Sequence, residues 1–105
     1  LAYVTEELIE ELELLEPFGK GNTKPLFAEK NLKVQNLRII GKNQNVLKFQ
    51  VLDQAGRKME AIYFGEVQEC MEYLQTKEKV SLTFYPSVNE YWGNKTIQIT
   101  VVNYQ

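Results

Sequence analysis

From Phe27 onward, apolar residues recur at every second position in five separate runs, and a single stretch of helical spacing interrupts them between the third run and the fourth. Leu32 and Val34 with Leu37 and Ile39 make the first run, Leu47, Phe49 and Val51 the second, and residues 58–64 the third. Val80, Leu82 and Phe84 make the fourth, and Ile97, Ile99 and Val101 the fifth. A period of two is that of a strand with one buried face. Val67, Cys70, Met71 and Leu74 instead fall at i, i+3, i+4 and i+7, which predicts a short helix over residues 66–75 with one buried stripe. The first run changes parity at Gln35-Asn36, as one extra residue in a β-bulge would require, so the first strand is expected to curve strongly. Gly41 to Asn45 and Asp53 to Gly56 are turns, Pro86 is expected to end the fourth strand, and Ser87 to Lys95 reads as the loop before the fifth.

Ahead of the strands, Val4, Leu8, Ile9, Leu12 and Leu15 follow helical spacing behind Thr5, a candidate N-cap, with Glu6 and Glu7 near the positive end of the helix dipole. The helix stops at Glu16-Pro17, because a residue before proline avoids the helical region. Pro17 to Pro25 reads as a linker, which divides the chain into residues 1–26, a helix and linker belonging to a preceding region, and residues 27–105, the main domain. The chain begins at Leu1, not methionine, and is read as a fragment of something longer. The apolar stripe of the first helix must be covered, either by the main domain or by another copy. The full order is a helix followed by β-β-β-α-β-β, the element order of the OB-fold, a five-stranded Greek-key barrel. A bulged first strand suits the curvature that closure of so small a barrel demands.

At 105 residues, 44% of them apolar, the chain has room for one core. Cys70 is the sole cysteine and cannot form an internal disulfide, and no apolar run reaches the roughly 18 residues of a membrane span. A cytoplasmic location with no membrane contact is therefore expected. Catalysis is not: metal-dependent hydrolysis needs clustered carboxylates, commonly with histidine, and this chain has no histidine and a single aspartate, Asp53, in a turn. Cys70 lies on an apolar helix stripe with no base to activate it. Gly19-Lys20-Gly21-Asn22 lacks the spacing of a phosphate-cradling P-loop. No catalytic residue, metal or cofactor is expected within these residues.

The net charge of −2 conceals a strong asymmetry. Residues 1–16 sum to −6, residues 17–58 to +7 and residues 59–105 to −3. A basic middle third suits a localised phosphate-binding face, or else lysines that only solvate exposed strands. An OB barrel binds its ligands across strands two and three and through the loops joining strands one to two and four to five. Those places carry Lys42 in the first loop, Lys48 on the second strand, Arg38 out of phase with Leu37 and Ile39, and Tyr91, Trp92 and Lys95 around the last turn. Stacked bases contribute about 1–3 kcal/mol each on such rings, although either ring is equally able to fold back over the barrel's open end. On the third strand Ile62 and Phe64 are expected in the core, which leaves Tyr63 either on the groove side as a stacking platform or packed at an edge. Lys20 and Lys24 are candidates to extend the path along the linker. The rival reading is a module that docks protein, for which an acidic tail would use the same cations; nothing in these residues separates DNA from RNA.

Leu15-Glu16-Pro17-Phe18-Gly19-Lys20-Gly21-Asn22, followed by Pro25 and Phe27, resembles the stretch that ends the DHHA1 region and opens the OB domain in the RecJ family of bacterial single-strand-specific 5′ to 3′ exonucleases. Gly41-Lys42 with Leu47-Lys48, Ala61-Ile62 with Phe64, and Asn89-Glu90-Tyr91 with Gly93 and Gln98 are similar to later segments of that family. Thr23, Val46 and Tyr63 depart from its pattern. The resemblance implies a non-catalytic, single-stranded-DNA-binding module. It also implies a parent whose DHH and DHHA1 domains hold Mn²⁺ or Mg²⁺, and partners that include those domains and possible contact with a single-strand-binding protein.

Overall fold

The computed structural model describes residues 4–13 and 26–105. Helix α1 (Glu6–Glu13) precedes strands β1 (Phe27–Ile40), β2 (Val46–Leu52) and β3 (Lys58–Phe64), helix α2 (Val67–Thr76), and strands β4 (Val80–Tyr91) and β5 (Asn94–Tyr104). The five strands close into a barrel in the order β1-β2-β3-β5-β4. β3 and β5 pair in parallel, and every other neighbouring pair is antiparallel. This is the expected OB architecture, with α2 between β3 and β4.

One 14-residue strand serves two neighbours because it bends twice. Its first half pairs with β4, its second half with β2, and the register slips between Glu29 and Leu32 and again between Gln35 and Arg38. Asn31 and Asn36 mark the slips with φ of 59° and 56°. Asparagine tolerates this left-handed conformation better than most residues. The second bulge is the one that the parity change at Gln35-Asn36 predicts; the first leaves no such trace, because only Leu32 follows it before the pattern settles.

Phe49, Phe84, Leu32, Leu47, Leu74, Leu82, Ile99 and Val51 fill the barrel and are all but inaccessible. Helix α2 contributes Val67, Cys70 and Leu74 to this core, so its apolar stripe lies where the spacing puts it. At α1, the Thr5 hydroxyl accepts from the Leu8 amide at 3.1 Å, the N-cap expected. Val4 and Ile9 are buried as α1 packs against β4, so the barrel itself covers the described part of the helix stripe. The linker, with Lys20, Lys24 and the Pro17-Phe18-Gly19 motif, lies outside the described residues.

Two expectations are corrected. Pro86 does not end β4, which runs on to Tyr91 and leaves a hairpin of only two residues, Trp92-Gly93, in place of a long loop. β1 pairs with β4 no further than Phe84, so beyond that point β4 has a strand on one side only and a proline there removes a donor from an edge. On β3 the core residue is Ala61, fully buried opposite Phe49, while Phe64 is 58% exposed. Ile62 and Phe64 share their face with Lys58 and Glu60, and burying that face would bury two charges.

Candidate nucleic-acid interface

Because Leu47, Phe49 and Val51 point inward, β2 presents Val46, Lys48, Gln50 and Leu52 outward, and the registers extend each as a rung across the neighbouring strands. Arg38 stands opposite Lys48 on β1, and Ile62 stands opposite it on β3. Like charges directly opposite in an antiparallel pair destabilise a sheet. An anion lying over both removes that repulsion. Lys42 sits beyond the end of this face, in the exposed turn 41–45, which closes through a Gln44 amide donating to the Gly41 carbonyl at 3.1 Å.

The rung nearest that turn is apolar. Ile40 pairs with Val46 and Val46 with Phe64, and on β5, the other neighbour of β3, Val102 follows the Val101 that pairs with Tyr63. Ile40 and Val102 are each 39% exposed, so a row of apolar groups crosses four strands at the surface with an aromatic ring in it. On the other side of the cationic rung lies a polar ladder. Gln35 Nε2 and Asn36 Nδ2 donate to Gln50 Oε1 at 2.9 and 2.7 Å, and Gln50 Nε2 donates to Glu60 Oε1 at 2.9 Å. The chain thus fixes its outer amides in one network and leaves the cations on the adjacent rung outside it.

The candidate residues do not all gather here. Arg38 and Lys48 share one rung, and Lys42 lies in the turn beyond it. Lys95 shares its parity with Ile97, Ile99 and Val101, so it faces the inner side of the β4–β5 hairpin. There it lines a cavity of about 290 Å³ with Glu6, Glu10 and Glu90, among carboxylates and away from Arg38. Tyr63 is no groove platform: it packs on the core side, its ring meeting Tyr104 edge-on at 5.6 Å between centroids. Its hydroxyl stands 2.8 Å from where a Cβ on Gly65 would lie, so the glycine, at φ 155°, leaves room for the ring. Burial raises its phenol above the ordinary 10.0, with Cys70, Glu69 and Glu66 adding to the shift. Trp92 is 84% exposed at the hairpin tip. The Tyr91 side chain is outside what the structure describes. Phe64 is the binding candidate that sequence reasoning missed, although its shared parity with Lys58 and Glu60 points to it.

Covalent chemistry finds no support at Cys70. Burial, and secondarily Glu69, push its thiol up from 9.0 to about 12. The neutral thiol is therefore favoured in the folded state, and stability from this group is present below about pH 9 and lost as pH rises toward 12. Native protein at pH 8 is expected to react with a thiol reagent only as fast as it unfolds, and prompt labelling under native conditions would contradict this placement. Among the described residues no group of three or more His, Cys, Asp or Glu side chains converges. None of the described helices is long and apolar enough to cross a membrane.

A family model described as the RecJ OB domain matches residues 1–103. The chain belongs to the RecJ OB domain family. The single-stranded-DNA-specific exonuclease RecJ of Bacillus subtilis (strain 168) is 28% identical over 92 residues, which are 88% of this chain and 11% of that protein. Crystal structures of RecJ from Thermus thermophilus in complex with Mn²⁺ and with Mg²⁺ match with a TM-score of 0.69 at 22% identity, covering 94% of this chain and 13% and 14% of theirs. The likeness to those structures is one of fold. This chain spans about a seventh or less of the length of each relative.

Proposed function

We propose that this RecJ OB domain is a non-catalytic module that binds single-stranded DNA and guides the strand toward a metal-dependent nuclease core carried by other domains, the DHH and DHHA1 domains of its parent. The observation that carries the reading is the Arg38–Lys48 pair, two cations on one rung beside an exposed phenyl ring. Cations bind phosphates without regard to sequence, and flat rings stack any base. A protein that must accept every sequence needs that combination and little else. Replacing both Arg38 and Lys48 by glutamine is expected to weaken binding of a labelled oligothymidylate roughly tenfold at low salt and to reduce the magnitude of the log K against log salt slope by about 1.4, two single-strand phosphates' worth. Folding stability should not fall, since a repulsive pair has been removed. An unchanged slope and affinity in an anisotropy titration would refute the proposal.

A second reading has its own observation. The apolar row Ile40, Val46, Phe64 and Val102 is the sort of patch by which proteins dock, here onto the parent's catalytic domains or the tail of a single-strand-binding protein. Under that reading, removing the Phe64 ring leaves oligonucleotide affinity unaltered.

A further inference from the structure

The outer face does not end at the polar ladder. One rung beyond Gln35, Gln50 and Glu60, Leu52 lies between Lys33 on β1 and Lys58 on β3. Lys33 and Lys79, the latter just ahead of β4, line a surface cavity of about 400 Å³ together with Asn31, Gln54 and Asp53. The aspartate is already engaged there: its Oδ1 accepts from the Ala55 and Arg57 amides at 3.0 and 2.9 Å, and its Oδ2 lies 3.7 Å from the Arg57 guanidinium. The cavity floor is shaped by the bulge at Asn31, whose left-handed conformation turns the chain between Lys33 and the edge shared with β4.

We infer that Lys33, Lys58 and Lys79 form a second phosphate-binding subsite, and that a bound single strand runs lengthwise along β2 from the turn 41–45 to the turn 53–56. The inference rests on the nucleic-acid reading above and specifies the strand's path. From Lys48 to Leu52 is four residues, about 13 Å along a strand, a distance that separates the two cationic groups by more than one nucleotide. Between them stands Glu60, whose carboxylate repels phosphate but accepts hydrogen bonds from base N–H groups, the thymine N3–H among them. The backbone therefore touches down at the two ends of the face, and the intervening nucleotides turn their bases toward the amide ladder. A track crossing the strands at the Arg38 rung alone would leave Lys33 and Lys79 with no part in binding.

Oligothymidylates of about 4 and about 12 nucleotides, bracketing the site sizes of OB folds, separate these paths. Binding of each to the 105-residue chain is measured by fluorescence anisotropy over a range of salt concentrations. The double variant Lys33→Gln, Lys79→Gln is expected to weaken the longer strand roughly tenfold and to lower its salt slope by about 1.4, while the shorter strand, seated at Arg38 and Lys48, changes less than about twofold. All these lysines are exposed, so an unchanged thermal melt is expected alongside. If the longer strand binds the double variant as it binds the parent, or if both lengths weaken equally, the second subsite is refuted. The Arg38→Gln, Lys48→Gln variant keeps that failure separate from failure of the nucleic-acid reading, which falls only if this variant too binds like the parent.

Discussion

Phe64→Ala is expected to leave the thermal transition within a few degrees of the parent's and to weaken binding of single-stranded oligonucleotide roughly 5- to 150-fold, the equivalent of about 1–3 kcal/mol of lost stacking. The ring is 58% exposed, so its removal opens no cavity and forfeits little buried area. It stands opposite Val46 and diagonal to Lys48, close enough for a base on the ring to place its phosphate near the cation. A phenylalanine inside the barrel behaves in the opposite way: truncating Phe49, which is 1% exposed, is expected to cost about 3–5 kcal/mol. That would lower the melting temperature by more than about 10 °C in a domain of this size. The pair of variants therefore tests the assignment of faces on β3 as well as the binding role. A Phe64→Ala protein that melts early but binds normally would place the ring in the core and remove it from the interface.

What the sequence reveals and what it conceals follow from the same alternation. On β2 a lysine and a glutamine interleave three large apolar residues, and period-two reading assigns both faces without ambiguity. β3 reads Lys-Met-Glu-Ala-Ile-Tyr-Phe, with bulky apolar groups on both faces at its far end, so side-chain size points one way and charge the other. Size misleads there, because a tightly curved barrel has space for only a small residue, Ala61, against Phe49. Charge decides correctly: Lys58 and Glu60 cannot be buried unpaired. On β5 parity decides against charge: Lys95 alternates in phase with Ile97 and Ile99 on the inner side of its hairpin, yet stays exposed because it lies near the tip. Its surroundings of Glu6 and Glu10 come from α1, and no local pattern reveals which strand a helix far away in sequence will pack against. The second bulge of β1 is legible because apolar residues flank it on both sides. The first, at Asn31, is not, and with it the cavity beside Lys33 stays hidden from sequence reasoning.

The hairpin tip offers the other large effect, and in it stability and binding are expected to move in opposite directions. Trp92 and Gly93 are the two central residues of the turn, with φ of 53° and 78°. Positive φ at both positions is what a type I′ turn needs, and asparagine followed by glycine is the favoured pair. A tryptophan held in that conformation costs about 1–2 kcal/mol relative to the ordinary helical region, and 84% of its surface is in water, so burial offsets little of that cost. Backbone strain that burial does not repay points to use of the side chain, here as a platform that meets bases at the end of the β4–β5 arm. Trp92→Asn is accordingly expected to raise the melting temperature by a few degrees, from up to about 1 kcal/mol of relieved strain, while reducing oligonucleotide affinity roughly 5- to 150-fold. Scanning calorimetry and anisotropy on the same preparation read the two effects together. Should the variant melt lower and bind as before, the ring would be packing for the hairpin, and Trp92 would leave the interface.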